Sequence, residues 1–221
     1  EEARRRYNDD PNVSFHKLAA EFLGVTDPKG EVYKRVKNTN FCKVYGGGVA
    51  KLAATFNSSI EEARSFNDRY DAALPFVRQT FEAAQALAER RGYVKTILGR
   101  RRRFPLWGPA RWTESGPPPL PRDEALVAYG EPLRRAGARN ALNAMLQGGS
   151  ADFMKKAMVD IWEAGLCGAL GAPLLTVHDE LDLSVPRTPA GREAAQEVRR
   201  LFERAIMLRV PVLVGVKVGS S

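Results

Sequence analysis

The chain has 221 residues, enough for one domain or two small ones around a substantial core. Lys and Arg number 34 against 26 Asp and Glu, and the net charge of +8 favours an anionic partner. Two distant cysteines, Cys42 and Cys167, and two scattered histidines argue against a disulfide framework or a zinc site, and no run of about 18 apolar residues exists to span a membrane.

The polar start, Glu1 to Arg6, has no secretory pattern, so the expected compartment is a reducing cytoplasm. A start without Met and a stop at Gly219-Ser220-Ser221 straight after an apolar run are what a piece of a longer chain would show. Apolar spacing predicts a helix over 14–23, with Ser14 as N-cap and Gly24 as stop, then a loop through Asp27-Pro28-Lys29-Gly30. A second helix is expected from Glu31 to Tyr45, closed by Gly46-Gly47-Gly48, and a third from Val49 to Phe56. Ser59-Ile60-Glu61-Glu62 reads as a helix start with periodicity through Tyr70, and Pro75 opens a long helix that ends at Gly92.

Beyond this helical stretch, Tyr93 to Leu98 is β-branched and short, and Gly99 with Arg100 to Arg103 follows it, which predicts a strand or hairpin edge beside a polyanion. Pro105 to Pro132, with Pro117-Pro118-Pro119, Trp107 and Trp112, is expected to be an extended surface insertion or linker. Helix should return over 134–166. Leu174 to Val177 and Leu181 to Val185 should be strands flanking a tight turn, His178-Asp179-Glu180. A last helix is expected from Pro189 to about Leu208, leading into a strand-like run over 210–218. A helical lobe followed by a lobe with an antiparallel sheet is an α+β architecture.

Lys37, Phe41 and Tyr45 stand at four-residue intervals on one predicted helix, so their side chains share one stripe. A nucleoside triphosphate offers phosphate, sugar and base in the same linear order, and Lys37 would meet phosphate as a point charge. The alternative is an ordinary amphipathic helix with its aromatics in the core. Gly46-Gly47-Gly48 lacks the Gly-Lys-Ser/Thr ending of a phosphate loop, which argues against a Walker-type ATPase. Asp179 and Glu180 at the turn could aim oxygens at a hard divalent cation, as two-metal phosphoryl transfer requires; the alternative is a solvated acidic turn.

These motifs together carry a resemblance. Lys37, Phe41 and Tyr45-Gly46 resemble the nucleotide-binding fingers helix of family A DNA polymerases, and Val177-His178-Asp179-Glu180 resembles their second catalytic palm motif. Gly92 to Thr96 with Gly99-Arg100-Arg101 looks like the fingers-to-palm connection. Arg139-Asn140-Ala141-Leu142-Asn143, with Gln147-Gly148 and Ala151-Asp152, looks like the palm helix that touches the primer-template. The likeness is collinear from about His16 to the C-terminus, apart from residues 105–132. It implies fingers over 1–91, a connection with the Pro-rich insertion over 92–133, and C-terminal palm over 134–221.

The resemblance implies template-directed DNA synthesis by a two-metal mechanism, with dNTP and primer-template DNA as partners and two Mg²⁺ ions as cofactors. By the same carry-over, His16, Lys37, Phe41 and Tyr45 would bind dNTP, and Lys37, Asp179 and Glu180 would be catalytic, Asp179 as a metal ligand; helix geometry adds Lys34, which shares the Lys37 face while Arg35 points away, as a stand-in for a family Arg. Arg139, Asn143, Gln147 and His178 would touch DNA, and amides such as Asn143 and Gln147 suit a minor-groove face. Three departures stand out: Tyr33 occupies the position of an expected Arg, Cys42 replaces a small Gly or Ala, and the first palm motif with its Asp should precede His16 but is absent. The missing carboxylate is expected from an upstream palm segment, and the isolated chain is expected to be inactive. A bacterial or phage-infected cell is the expected setting. Single-subunit RNA polymerase and a non-catalytic DNA-binding half of a split polymerase are the alternatives.

Overall fold

The computed structural model describes residues 1–27, 29–110 and 116–219; Pro28 in the predicted loop, Trp112 in the Pro-rich stretch and the final Ser220-Ser221 lie outside the described residues. The chain divides into two compact units, one of Phe15–Gly148 and one of Glu1–Ser14 with Gly149–Ser221. These bounds differ from the three-segment division expected at 91/92 and 133/134.

The first half of the Phe15–Gly148 unit is helical, and local signals set its boundaries. It holds α2 (Phe15–Phe22), α3 (Glu31–Val44), α4 (Val49–Phe56), α5 (Ile60–Ala73) and α6 (Pro75–Arg91). The Ser59 hydroxyl accepts the Glu62 N–H at 3.1 Å, and Glu61 and Glu62 place negative charge against the positive end of α5. Pro75 at the first turn of α6 gives up an N–H that no helical carbonyl would accept, and Gly92 at φ +73° closes that helix. Ala19, Ala20, Val36, Phe66, Tyr70, Leu74 and Val77 form one core where α2, α3, α5 and α6 meet. Cys42, Leu52, Ala53 and Ala63 form a second, in which Cys42 packs as a compact apolar side chain and burial raises its thiol pKa.

The second half of this unit packs back on α6. Strands β1 (Tyr93–Lys95) and β2 (Arg101–Arg103) pair antiparallel, with Val94 turned into a core that includes Ala84, Ala88, Phe104 and Leu142. The Pro-rich stretch, expected as an extended surface insertion or linker, holds regular structure among its described residues. It contains β3 (Trp107–Pro109) and α7 (Arg122–Tyr129), and β3 pairs antiparallel with β4 (Leu133–Arg135), where helix was expected. Arg135 pins this piece to α6: its Nε and Nη1 donate to the carbonyls of Glu89 and Phe104, each at 3.0 Å, and its guanidinium lies 4.4 Å from the Trp107 ring centroid. A 3-10 turn over Ala138–Asn140 then leads into α8 (Ala141–Glu163), which begins in this unit and continues into the other.

The other unit also opens with a helix, α1 (Glu2–Asp9), which has no buried residue and is supported by Glu–Arg pairs one turn apart, Glu1–Arg4 and Glu2–Arg5. Its core joins Met154, Ala157 and Ile161 of α8 to Leu170 of α9 (Leu166–Leu170) and to Ala194, Val198 and Phe202 of α10 (Pro189–Arg204). Burying a side chain such as Phe202 contributes roughly 2 kcal/mol. Thr188 caps α10 by accepting the Gly191 N–H at 3.1 Å. A hairpin of β5 (Leu175–Val177) and β6 (Glu180–Asp182) is anchored by Leu181 and Leu183 against this core. Residues 210–218 adopt no strand, and α10 stops four residues short of the expected Leu208. The sheets of the α+β fold are thus three separate two-stranded ribbons among the described residues.

Candidate nucleotide and DNA site

Each unit presents one group of the expected residues. In the Phe15–Gly148 unit, α3 turns Val36, Thr39, Asn40 and Cys42 inward, and this leaves Lys37, Phe41 and Tyr45 on the outer face. Phe41 and Tyr45 are 47% and 45% exposed, which rules out the alternative that the aromatics fill the core. Lys37 is exposed and has no carboxylate partner among the described residues. An uncommitted cation followed by two exposed rings is a surface suited to an anionic, partly aromatic ligand.

His16, on α2, joins this surface. Its ring lies 5.0 Å from that of Phe41, centroid to centroid, at a 51° tilt, and its Nδ1 is 2.8 Å from Asn40 Nδ2. Burial lowers the His16 pKa, and the Lys37 cation lowers it further. The hydroxyl of Tyr70, on α5, donates to Asn40 Oδ1. Neither Asn40 nor Tyr70 was singled out from the sequence. One signal was available for Asn40: a polar residue on the buried face of α3, four positions from Val36, needs a hydrogen-bonding partner inside.

The other end of the stripe meets the start of α8. Gln147 Nε2 donates to the Tyr45 hydroxyl at 2.6 Å, and Asn143 Nδ2 donates to Gln147 Oε1 at 3.2 Å, so three expected ligand-contacting residues form one chain of hydrogen bonds. Gly46, at φ +70°, permits the approach of the backbone at Arg139: a β-carbon there would come within 2.6 Å of the Arg139 carbonyl oxygen. Arg139 itself is exposed, and Arg100 Nη2 donates to the Gly148 carbonyl at 2.9 Å. Arg101, Arg102 and Arg103 on β2 are exposed, which gives this unit a basic edge.

Lys34 and Arg35 separate as the helix geometry predicts. Lys34 is exposed beside Glu31 at 3.5 Å, whereas Arg35 is drawn to α5, paired with Glu62 and lying 5.2 Å from the Phe56 ring centroid. If the outer face of α3 binds a nucleoside triphosphate, Lys34→Ala should raise the KM for it several-fold, whereas Arg35→Ala should lower the melting temperature and leave that KM near its parent value. Steady-state nucleotide titrations and thermal melts of both variants check this, and a larger KM effect from Arg35 would mean that the ligand lies on the other face.

In the second unit, the hairpin turn is one residue shorter than expected. Val177 pairs with Glu180, so Glu180 is the first residue of β6, and only His178 and Asp179 form the turn. His178 has φ +53° and both it and Asp179 are exposed. The Asp179 carboxylate is a hard oxygen donor free of ion pairs among the described residues, which fits a divalent cation. No group of three or more potential metal ligands converges among the described residues.

The fold is similar to part of a polymerase domain. A solved POL domain of Pol1 from M. smegmatis, in complex with DNA primer-template and dNTP, superposes with a TM-score of 0.72 at 29% identity, over 94% of this chain and 34% of that one. The chain belongs to DNA polymerase family A, whose profile matches residues 7–221. It is 35% identical over 209 residues to DNA polymerase I of Pseudomonas aeruginosa, covering 92% of this chain and 20% of that protein. It is also 35% identical over 198 residues to the thermostable DNA polymerase I of Thermus filiformis, covering 89% of this chain and 21% of that protein. The chain thus spans about a fifth of the length of these relatives.

Proposed function

We propose that this chain is the fingers and C-terminal palm portion of a DNA-directed DNA polymerase, which transfers a deoxynucleoside monophosphate from dNTP to a primer 3′-hydroxyl and releases pyrophosphate. The observation that carries this reading is the exposed Lys37-Phe41-Tyr45 face of α3, joined through the Tyr45 hydroxyl to Gln147. The fingers role falls to residues within 1–91, the connection to 92–133 and the palm role to 134–221. The bacterial relatives support a bacterial cytoplasm as the compartment.

In this reading Lys37 neutralises phosphate charge on the incoming nucleotide, with Lys34 as a second cation and His16 beside them. Phe41 packs on the sugar and base, and Tyr45 stacks near the templating base. Arg139, Asn143, Gln147 and His178 contact the primer-template, the amides toward its minor groove. Asp179, with Glu180 beside it, would hold Mg²⁺, and a bound pair of such ions would supply the positive charge needed at the primer oxygen and the leaving pyrophosphate. One further carboxylate, from an upstream palm segment outside these residues, completes the set.

The test is a pair of assays on the purified chain with a primer-template. Binding, followed by fluorescence anisotropy, should fall steeply with salt; about six phosphate contacts would cost roughly a thousandfold in affinity between about 50 and 200 mM. Extension with Mg²⁺ and dNTP should be undetectable for the chain alone and appear when the upstream palm segment is supplied. Absent binding at low salt overturns the DNA-contact assignments, and robust extension by the chain alone overturns the need for an outside carboxylate.

A further inference from the structure

The inner side of the proposed nucleotide face holds three side chains from three helices in one hydrogen-bonded line: Tyr70 on α5, Asn40 on α3 and His16 on α2. Tyr70 is fully buried and Asn40 is 2% exposed, so neither can exchange its partner for bulk water. A neutral phenol has one proton to give, and it goes to the Asn40 carbonyl oxygen. That orients the amide so that its N–H meets His16 Nδ1 at 2.8 Å. A nitrogen that accepts this bond must carry a lone pair, and a neutral imidazole with a lone pair on Nδ1 carries its proton on Nε2.

We propose that Tyr70 and Asn40 are positioning residues that hold His16 as the neutral Nε2–H tautomer, so that a fixed, uncharged N–H donor stands beside Lys37 for an oxygen of the bound triphosphate. The ligand part rests on the reading of the Lys37 face as a triphosphate site. A neutral donor suits this place because Lys37 disfavours a charged ring beside it. Desolvation and the Lys37 charge act in the same direction on the ring. Tyr70 is kept as a proton donor, since burial and the neighbouring Asp71 carboxylate both oppose its ionisation, and Asp71 is itself held by Lys43 at 2.8 Å. The buried line therefore sets which nitrogen of an accessible ring is protonated, through groups that never touch the ligand.

The chain has only two histidines, so long-range proton–nitrogen NMR on ¹⁵N-histidine-labelled protein reads the tautomer directly, with His16→Gln assigning the signals. Above the imidazole titration range His16 should show a single population with Nδ1 unprotonated. Asn40→Asp offers Nδ1 an acceptor instead of a donor and should move the proton to Nδ1. Tyr70→Phe frees the amide and should give a mixed population while retaining the ring packing. A wild-type His16 that is mixed or protonated at Nδ1 overturns the proposal without any variant, and so does an unchanged tautomer in a folded Asn40→Asp protein. Titration with Mg²⁺–dATP should then shift the His16 Nε2–H resonance in the wild type. No shift there, with the single tautomer intact, would overturn the triphosphate reading and leave the relay standing.

Discussion

Asp179→Asn is expected to abolish primer extension in a polymerase that contains this segment, lowering the single-turnover rate by a factor on the order of 10³ or more, because it removes a full charge where phosphoryl transfer needs a metal ligand. The substitution is nearly isosteric. Asp179 is exposed at the turn between β5 and β6, and the hairpin is anchored elsewhere, through Leu181 and Leu183. Folding and primer-template affinity should therefore change little. Rapid-quench extension with saturating Mg²⁺ and dNTP measures the loss, and anisotropy with the same DNA supplies the control. Activity within tenfold of the parent would remove Asp179 from the metal site and leave Glu180 as the candidate ligand on this hairpin.

Lys37→Ala should lower kcat/KM for dNTP by about 10²-fold or more, through loss of charge stabilisation on the triphosphate. The prediction is sharp because Lys37 makes no ion pair among the described residues, so its removal leaves no carboxylate stranded and the melting temperature should hold. Lys43, two turns further along α3, is the counterexample. Its side chain is 14% exposed and pairs with that of Asp71, 13% exposed, and its ammonium lies 6.0 Å from the Tyr70 ring centroid. Lys43→Ala would leave Asp71 buried without its cation and should destabilise the fold. Nucleotide-dependent extension rates and thermal melts of the two variants separate a ligand-facing lysine from a structural one. Equal melting losses with no kinetic difference would refute the assignment of Lys37.

Several elements were legible because their signals are local. The limits of α4 and α6 follow from glycines, a proline and apolar spacing within the segment itself, and the Ser59 cap was readable from four consecutive residues. The failures have a common physical origin. The strand pairing of β3 with β4 joins Trp107 to Arg135 across a stretch dense in proline, and composition alone suggested an extended linker. The run 210–218 alternates like a strand, but a strand exists only if a second one lies in register beside it. Helix α1 has no fully buried residue, only partly covered Ala3, Arg6 and Tyr7, so it left little apolar periodicity to read beside its ion pairs one turn apart.

The candidate site divides along the same line. Helical spacing by itself determined that Lys37, Phe41 and Tyr45 lie on one stripe, because 3.6 residues per turn makes neighbours of positions four apart in any helix. It likewise separated Lys34 from Arg35. Whether that stripe faced outward was decided by the packing of α2 and α5 against the opposite side of α3, which consumed Val36, Thr39 and Asn40 and left the cation and the rings exposed. The partners that give these residues their settings come from far along the chain: Gln147 reaches Tyr45 across 102 residues, Tyr70 reaches Asn40 across 30 and Asn40 reaches His16 across 24. Periodicity carries no information at such separations. Only the closing of the helices around a shared core brings those groups within hydrogen-bonding distance, and only then does a buried amide acquire a direction.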